Sequence, residues 1–405
     1  MADSAQRYVA FDLHKRQVTV AAVDQAKAVV LSPRQFPLAR LQNWASKHLR
    51  RTDHVVMEAG PNTWHAYDVV EPLVALVVVA DPRKLRAMAA GAPKTDGRDA
   101  LFPAMLLAAD MVPQVWVPPK DVREVRSLVH YRQRLVRRST AARNRLHGLL
   151  ARLHVTPPSG DPFGSSNRGW WETVGLRPTE ALLAHQDLGT IDVTASHVEA
   201  VDCHLARLSV TEPWHDDATV LMHVPGFAVV NAMTVLSAIG TIHRFPKPAH
   251  LVAYSGLDPR VHQSGDSLRI GRISKRGRRE LRTTMVQAAW IAVTSDAYWK
   301  ARFAALEPRL GAAKAITAIA RKMLVVVWHI LTHREAAHHT VPETVARKYL
   351  RWASEHRLAT SQHLSRTAFV QLELQRLGLN HGPMTITIGG WVLQLDAYTS
   401  SASGP

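Results

Sequence analysis

The apolar positions of the first hundred residues fall in short runs broken by turn-forming clusters. Tyr8 to Asp12 is apolar and ends on an acid; Gln17 to Val23 and Ala28 to Leu31 follow at hairpin distances, with Asp24 to Ala26 as a turn. Leu38, Leu41, Trp44 and Leu49 have helical spacing. His54 to Met57 is another strand-like run ending on an acid, Glu58, and a helix from about Trp64 to Leu73 precedes a strand from Ala75 to Ala80. With a further helix opening near Asp96, the order β-β-β-α-β-α-β-α predicts a mixed sheet with helices packed on it.

Beyond residue 120 the period changes. Val122 to Leu153 reads as one long helix in which Leu128, Leu135, Ala142 and Leu149 recur every seven residues, with Leu146 and Leu153 on the neighbouring stripe. Pro157 to Asn167 is a loop by composition. A second heptad segment carries Ile191, Val198 and Leu205 on one stripe and Val201 and Leu208 on the other. The two segments could pair within one chain or between chains, and the pattern leaves both open. From Asp216 to about Arg334 the chain reads as a helical unit, with the hairpin Val224-Pro225-Gly226-Phe227 ahead of an apolar helix, Val230 to Ile239. Helices are expected at Leu281 to Val293 and Ala312 to Leu331. After Glu335 no motif is legible; Tyr349 to Arg357 looks helical, Met384 to Leu395 looks like two short strands about Gly389-Gly390, and Thr399 to Pro405 reads as a frayed tail. The expected division is residues 1–115, 116–215, 216–335 and 336–405: an α/β domain, a basic coiled-coil region, a helical domain and an extension of unknown role.

Charge sharpens this picture. Lys and Arg number 50 against 33 Asp and Glu, a formal net charge of +17, which points to a polyanionic partner, most simply nucleic acid. The surplus is concentrated. Arg126, Arg132, Arg134, Arg137, Arg138, Arg143 and Arg145 cover the long helix outside its apolar seam and form a candidate phosphate-backbone track. Arg272, Lys275, Arg276, Arg278 and Arg279 lie in a glycine-bearing loop, Gly271 to Arg279, suited to phosphate contact, and the Gly226 hairpin can offer backbone N–H groups in the same way. A single cysteine, Cys203, excludes an intramolecular disulfide framework and suits a reducing cytoplasm. The N-terminus lacks a signal-peptide layout, and Arg321 and Lys322 within the apolar run Ala315 to Leu331 favour a buried helix over a membrane span. A cytoplasmic, nucleoid-associated protein without membrane contact is expected. His333, His338 and His339 cluster but have no partner motif and are read as surface.

The candidate chemistry lies in acids. Asp12 and Glu58 end the first and fourth strands, where side chains leave the packed core of a sheet, and adjacent strands would hold them side by side. Asp96 and Asp99, three residues apart, would share one face of a helix start. Such a pair taken alone is more often a helix cap. Four converging carboxylates repel one another and require cations; hard oxygen ligands suit Mg²⁺, with Mn²⁺ as a substitute, and a pair of ions suits phosphodiester chemistry. Ser264, in Gln263-Ser264-Gly265, is by composition an ordinary turn serine, and Tyr254 by itself would be a core residue.

The ordered set of motifs resembles the DEDD-type transposases of bacterial insertion sequences, recombinases guided by a bridge RNA, whose superfamily includes the Piv-type DNA invertases. The resemblance rests on Phe11 to Lys15, Met57-Glu58, Lys94 to Ala100, the Pro225-Gly226 hairpin, Ala253 to Leu257, Gln263-Ser264-Gly265 and Gly271 to Gly277, in the family's order and spacing over roughly residues 7 to 335. It implies a RuvC-like RNase H fold at the N-terminus, a coiled-coil insertion and a helical C-terminal transposase domain. It also implies that Asp12, Glu58, Asp96 and Asp99 bind Mg²⁺ and that Ser264 is the nucleophile, with Ser267 as the fallback. By the same resemblance the partners are donor DNA, target DNA and a noncoding guide RNA. The assembly is a homo-oligomer, dimer or tetramer, in which carboxylates and serine come from different subunits. Competing readings are a metal-only RNase H-like nuclease or Holliday-junction resolvase, a Piv-type invertase, and a non-catalytic nucleic-acid-binding protein whose acids only cap helices and turns.

Overall fold

The computed structural model describes residues 6–89, 96–264, 267–337, 340–379, 384–388 and 391–395. The chain divides into two compact units, Met1–Pro118 and Pro119–Pro405. The expected segments 116–215, 216–335 and 336–405 therefore fall almost entirely within the second.

The first unit is built on strands β1 (Tyr8–Leu13), β2 (Gln17–Val23), β3 (Val29–Pro37), β4 (His54–Glu58) and β5 (Leu76–Ala80), with helices α1 (Leu41–His48), α2 (Thr63–Val70), α3 (Pro82–Met88) and α4 (Asp96–Ala108). The sheet order is β3-β2-β1-β4-β5; β1, β2 and β3 form an antiparallel meander, while β4 and β5 run parallel to β1. This mixed α/β arrangement is consistent with an RNase H-like fold. The pleat sorts each strand to two faces. Val9, Phe11, Val55, Met57 and Val79 pack in one core with Leu41 and Ala66 of α1 and α2. Tyr8, Ala10, Val56, Val78 and Ala80 pack in the other with Leu85, Ala104 and Leu107 of α3 and α4.

Two elements depart from the sequence expectation. β3 runs to Pro37 rather than stopping at Leu31, and its outer part is mostly exposed and contains Pro33. It is an edge strand, where a missing N–H costs no ladder bond and where apolar alternation is not required. Helix α3 was not anticipated. Asp81 caps it, accepting from the N–H groups of Arg83 and Lys84, and Pro82 opens it.

The second unit is mostly helical. It contains α5 (Lys120–Arg152), α6 (Trp170–Thr173), α7 (Pro178–Leu208), α8 (His215–Met222), α9 (Val229–Ile239), α10 (Pro248–Ser255), a ribbon of β6 (Pro259–Ser264) and β7 (Ser267–Ile273), α11 (Arg279–Ser295), α12 (Ala297–Leu310) and α13 (Ala312–His333). The C-terminal part adds α14 (Pro342–Ser354), α15 (Leu358–Ser361), α16 (Arg366–Arg376) and a hairpin of β8 (Met384–Ile388) and β9 (Trp391–Leu395). The expected turn at Gly389-Gly390, the tail and the pair His338-His339 lie outside the described residues.

Helices α5 and α7 pair within the chain. Ala142, Leu146, Leu149 and Leu150 of α5 pack on Ala184, Leu188 and Ile191 of α7, with Phe163 and Trp171 closing the end. Arg132 pairs with Asp202 and Arg145 with Asp187, so the partner numbers fall as the α5 numbers rise and the helices are antiparallel. α13 is long and apolar enough to cross a membrane by length and composition, but Ile319, Met323, Leu324 and Val327 on one side of it are buried in the unit's core.

Leu146 is 1% exposed in the apolar cluster between α5 and α7. Leu146→Ala should lower unfolding stability by about 2–5 kcal/mol, read from urea denaturation, because the methyl groups lost leave a cavity between two long helices.

Candidate active site

In the first unit, β1 and β4 are parallel neighbours with Phe11 opposite Met57, so Asp12 and Glu58 are the next pair along. Adjacent strands lie about 4.8 Å apart. Phe11 and Met57 point into the core under α1 and α2, and the alternation of the pleat turns Asp12 and Glu58 to the opposite face, the one covered by α4. The loops after both strands are tied together. Asn62 donates from Nδ2 to the His14 carbonyl at 2.8 Å, Thr63 Oγ1 donates to the Glu58 carbonyl at 2.6 Å, and Gly60 N–H donates to Thr63 Oγ1 at 2.7 Å. Both carboxylates keep solvent access, with side chains 24% and 39% exposed. His14 Nε2 lies 3.0 Å from Asp12 Oδ2, and Arg86 of α3 approaches Glu58 Oε1 only to 3.8 Å.

Asp96 and Asp99 occupy the first turn of α4, the helix that covers this face. Their side chains lie outside the described residues, as do Lys94 and Thr95. Among the described residues no cluster of three or more His, Cys, Asp or Glu side chains forms a metal cage. The donor set nevertheless fits a hard divalent cation: two neighbouring, partly exposed carboxylates at strand ends, and the start of a D-x-x-D helix above the same face.

In the second unit, Ser264 ends β6 and is paired with Ser267 at the start of β7, so both serines sit at the far end of a two-stranded ribbon. Their side chains lie outside the described residues. The near end of the ribbon is clamped to α10. Ser274 N–H donates to the Asp258 carbonyl at 2.7 Å and Ser274 Oγ to Asp258 Oδ1 at 2.6 Å; Lys275 N–H donates to Gly256, and Arg278 N–H to Tyr254. Gly277 lies so close to the Tyr254 carbonyl that a Cβ would stand 2.3 Å from its oxygen. Only glycine permits this approach.

Two family models match the chain: one described as Transposase, the DEDD type of IS110 elements, over residues 9–155, and one described as Transposase IS116/IS110/IS902 family over residues 218–304. The first span holds the four acids, the second the Gly226 hairpin, the serine ribbon and the basic loop. The chain belongs to the IS110 family of transposases. It is 26% identical over 349 residues to the transposase of insertion sequence element IS1111A from Coxiella burnetii, covering 79% of this chain and 91% of that protein. It is 27% identical over 342 residues to a probable family 20 transposase from Pseudomonas aeruginosa, covering 80% and 96%. It is 24% identical over 304 residues to the pilin gene-inverting protein of Moraxella bovis, covering 71% and 83%.

The basic residues of this IS110-family chain fall into two groups. Arg134, Arg137 and Arg138 are exposed on α5, and Arg272, Lys275, Arg276 and Arg279 are exposed on the loop after the ribbon. The others are engaged internally. Arg126 is buried and donates to the carbonyls of Ser237 and Ala238 at 2.7 and 3.0 Å, at the C-terminal end of α9. Burial, with the nearby Arg278 and Arg244 charges, lowers its pKa to about 10. Its place is inside the fold, not on a phosphate track. Arg132, Arg143 and Arg145 pair with Asp202, Asp161 and Asp187, so the long helix does have balancing acids, supplied from elsewhere in the chain. Arg278 turns inward, donating to the Tyr254 hydroxyl at 3.0 Å and to Glu280 at 3.1 Å.

Tyr254 and Arg244 were not singled out as a pair by sequence, and their composition gave no signal. The Arg244 guanidinium lies 4.7 Å from the centre of the Tyr254 ring and also donates to the Ile239 carbonyl. Burial alone would raise the Tyr254 phenol, but Arg278 and Arg244 outweigh it and hold it below its ordinary value. Gly226 also has a packing role. At φ +83° it lies against α11, where a Cβ would come within 2.1 Å of the Ala288 carbonyl oxygen.

Glu280 closes this group beside Arg278 and His130. Burial would raise its pKa, but His130, a backbone N–H and Arg278 outweigh burial and hold it at about 2. Because the folded value lies below the unfolded one of about 4.3, Glu280 stabilises the fold above that pH and loses its contribution as pH falls towards 2. The melting temperature of wild type should therefore exceed that of Glu280→Gln above about pH 5, and the gap should close on acidification, as followed by calorimetry.

Proposed function

We propose that this transposase cuts and exchanges DNA strands through a phosphoserine intermediate at Ser264, with the carboxylates Asp12, Glu58, Asp96 and Asp99 holding Mg²⁺, or Mn²⁺ in its place. The observation that carries the reading is the placement of Asp12 and Glu58 side by side at parallel strand ends, on the sheet face covered by the helix that starts at Asp96. Bound there, a divalent cation would neutralise charge on the scissile phosphate and lower the pKa of an attacking hydroxyl.

The chain's own residues supply the rest. Ser264 Oγ attacks the phosphorus, an Oγ–P bond forms, the P–O3′ bond breaks, and the serine proton is balanced by protonation of the departing 3′ oxygen. The phosphodiester energy is kept in the phosphoserine link, so a 3′ hydroxyl can attack a second such link, rejoin DNA and restore the serine without a high-energy cofactor. The base of the ribbon that carries Ser264 is clamped to α10. Arg134, Arg137, Arg138, Arg272, Lys275, Arg276 and Arg279 are exposed and suited to the nucleic-acid backbone. Their charge reads backbone and not sequence, which supports delegation of target choice to a guide RNA by base pairing. A homo-oligomer, dimer or tetramer, would allow one subunit's serine to act with another's carboxylates. The similarity to a pilin gene-inverting protein favours site-specific inversion as a second outcome of the same chemistry.

Incubation with element-end DNA, guide RNA and Mg²⁺ should give a covalent protein–DNA adduct on a denaturing gel. Ser264→Ala should abolish it, and an adduct persisting in that variant moves the nucleophile elsewhere, first to Ser267. Asp12→Asn and Asp99→Asn should each lower recombination by at least about 100-fold while DNA binding is retained, the size expected when an electrostatic catalytic group is removed. Unchanged recombination would reduce those acids to caps.

A further inference from the structure

Both matched family spans end before residue 305, and the helices α14 and α16 carry no motif. They nevertheless surround α8, the helix that leads into the Val224–Phe227 hairpin. Tyr349 of α14 donates its hydroxyl to the Thr219 carbonyl at 2.7 Å. Glu373 of α16 is fully buried, accepts from Thr219 Oγ1 at 2.5 Å and lies 2.8 Å from His215 Nε2. At the end of α8 the Ala337 N–H donates to His223 Nε2 at 3.0 Å. One residue further, Lys348 Nζ donates to the Val224 carbonyl at 2.7 Å.

That carbonyl is the one that closes the hairpin, since it also accepts the Phe227 N–H at 3.2 Å. On the opposite side Gly226 is fixed by its close approach to Ala288 of α11. The hairpin is thus gripped from α11 and from α14. An amine that is buried and, among the described residues, bonded to a carbonyl and to no carboxylate is a poor stabilising device, because an apolar side chain of similar length avoids its desolvation. What it adds is direction: one donor aimed at the oxygen that sets the turn.

We propose that Lys348 is a positioning residue for the Val224–Phe227 hairpin, through which the C-terminal helices set how the hairpin meets a nucleic-acid backbone. The inference rests on the reading of that hairpin as a backbone contact. Although Lys348 as a residue keeps some solvent exposure, burial around its amine pushes its pKa down to about 7. The titratable groups near it are His223, held neutral by burial with a pKa of about 4, and its chain neighbour Tyr349, engaged with α8. An opened hairpin returns the amine to its ordinary value near 10.5, so opening is favoured progressively as pH falls from that value to 7, and the effect levels off below 7.

The test uses the full chain with Lys348→Met, which keeps the side chain's length and removes its donor. Amide hydrogen exchange at Gly226 and Phe227 should accelerate by about 10-fold at pH 7.5, while the α5–α7 amides keep wild-type protection, the mark of a local opening. Wild-type exchange at these amides, corrected for intrinsic rate, should rise as pH falls from about 9 to 7 and level off below 7; the Met variant should show no such step. Binding to a duplex DNA oligonucleotide should weaken several-fold in the Met variant. Wild-type exchange in Lys348→Met, or the same pH step in both proteins, would overturn the proposal. Faster hairpin exchange with unchanged DNA affinity would keep Lys348 as the hairpin's positioning residue and remove the hairpin from the DNA contact.

Discussion

The parallel pairing of β1 with β4 decides where charge can gather in the first unit. Phe11 and Met57 must enter the core under α1 and α2, and with a period of two residues the next pair, Asp12 and Glu58, must face the other way. A slip of one residue would turn both acids towards the core under α1 and α2. The apolar packing on the two sheet faces therefore forces two like charges together at the strand ends, and tolerates it because those ends remain open to solvent. His14 Nε2 lies 3.0 Å from Asp12 and Arg86 lies 3.8 Å from Glu58, so neither acid stands alone. A divalent cation would relieve the repulsion further, which is the physical reason for proposing the pair as a ligand set.

Much of this first unit was legible because its signals are local. Short apolar runs marked the strands, and an acid at the end of two of them marked the candidate pair that the pleat then places side by side. The edge strand β3 was less legible: its outer half faces solvent and includes Pro33, so neither alternation nor β-propensity extends through it. Asp81-Pro82 did carry a helix-start signal that spacing arguments overlooked. The heptads of α5 and α7 were visible, but the choice between pairing in one chain and between chains depends on ion pairs separated by 42 and 70 residues, Arg145 with Asp187 and Arg132 with Asp202. Lys348 was illegible for a different cause. A lysine acquires this role only from its surroundings, and nothing beside it in sequence distinguishes it from a solvated one.

The distribution of arginines carries a further consequence for how the net charge is used. A charge of +17 describes the whole chain, yet Arg126, Arg132 and Arg278 have their donors committed to carbonyls, a carboxylate or a phenol inside the fold. These set architecture: Arg126 caps α9, Arg132 fixes the α5–α7 register, and Arg278 holds the base of the serine ribbon against Tyr254. Substituting them would disturb nucleic-acid binding indirectly, through shape.

The exposed ion pairs differ from these. Arg143 with Asp161 and Arg145 with Asp187 are solvated, and such pairs contribute little to stability because water screens them and side-chain entropy opposes them. A phosphate can replace either carboxylate as partner without leaving a buried charge unpaired. Arg126 has no such freedom: withdrawing it would cost the Ser237 carbonyl its donor and leave the Ala238 carbonyl only the Tyr254 hydroxyl at 3.3 Å. The arginines of α5 are therefore graded: Arg134, Arg137 and Arg138 are exposed outright, Arg143 and Arg145 hold carboxylates that a phosphate could replace, and Arg126 and Arg132 are fixed in the fold. Salt should weaken the first two contributions and leave the third untouched, since screening acts on solvated charge and not on a buried hydrogen bond.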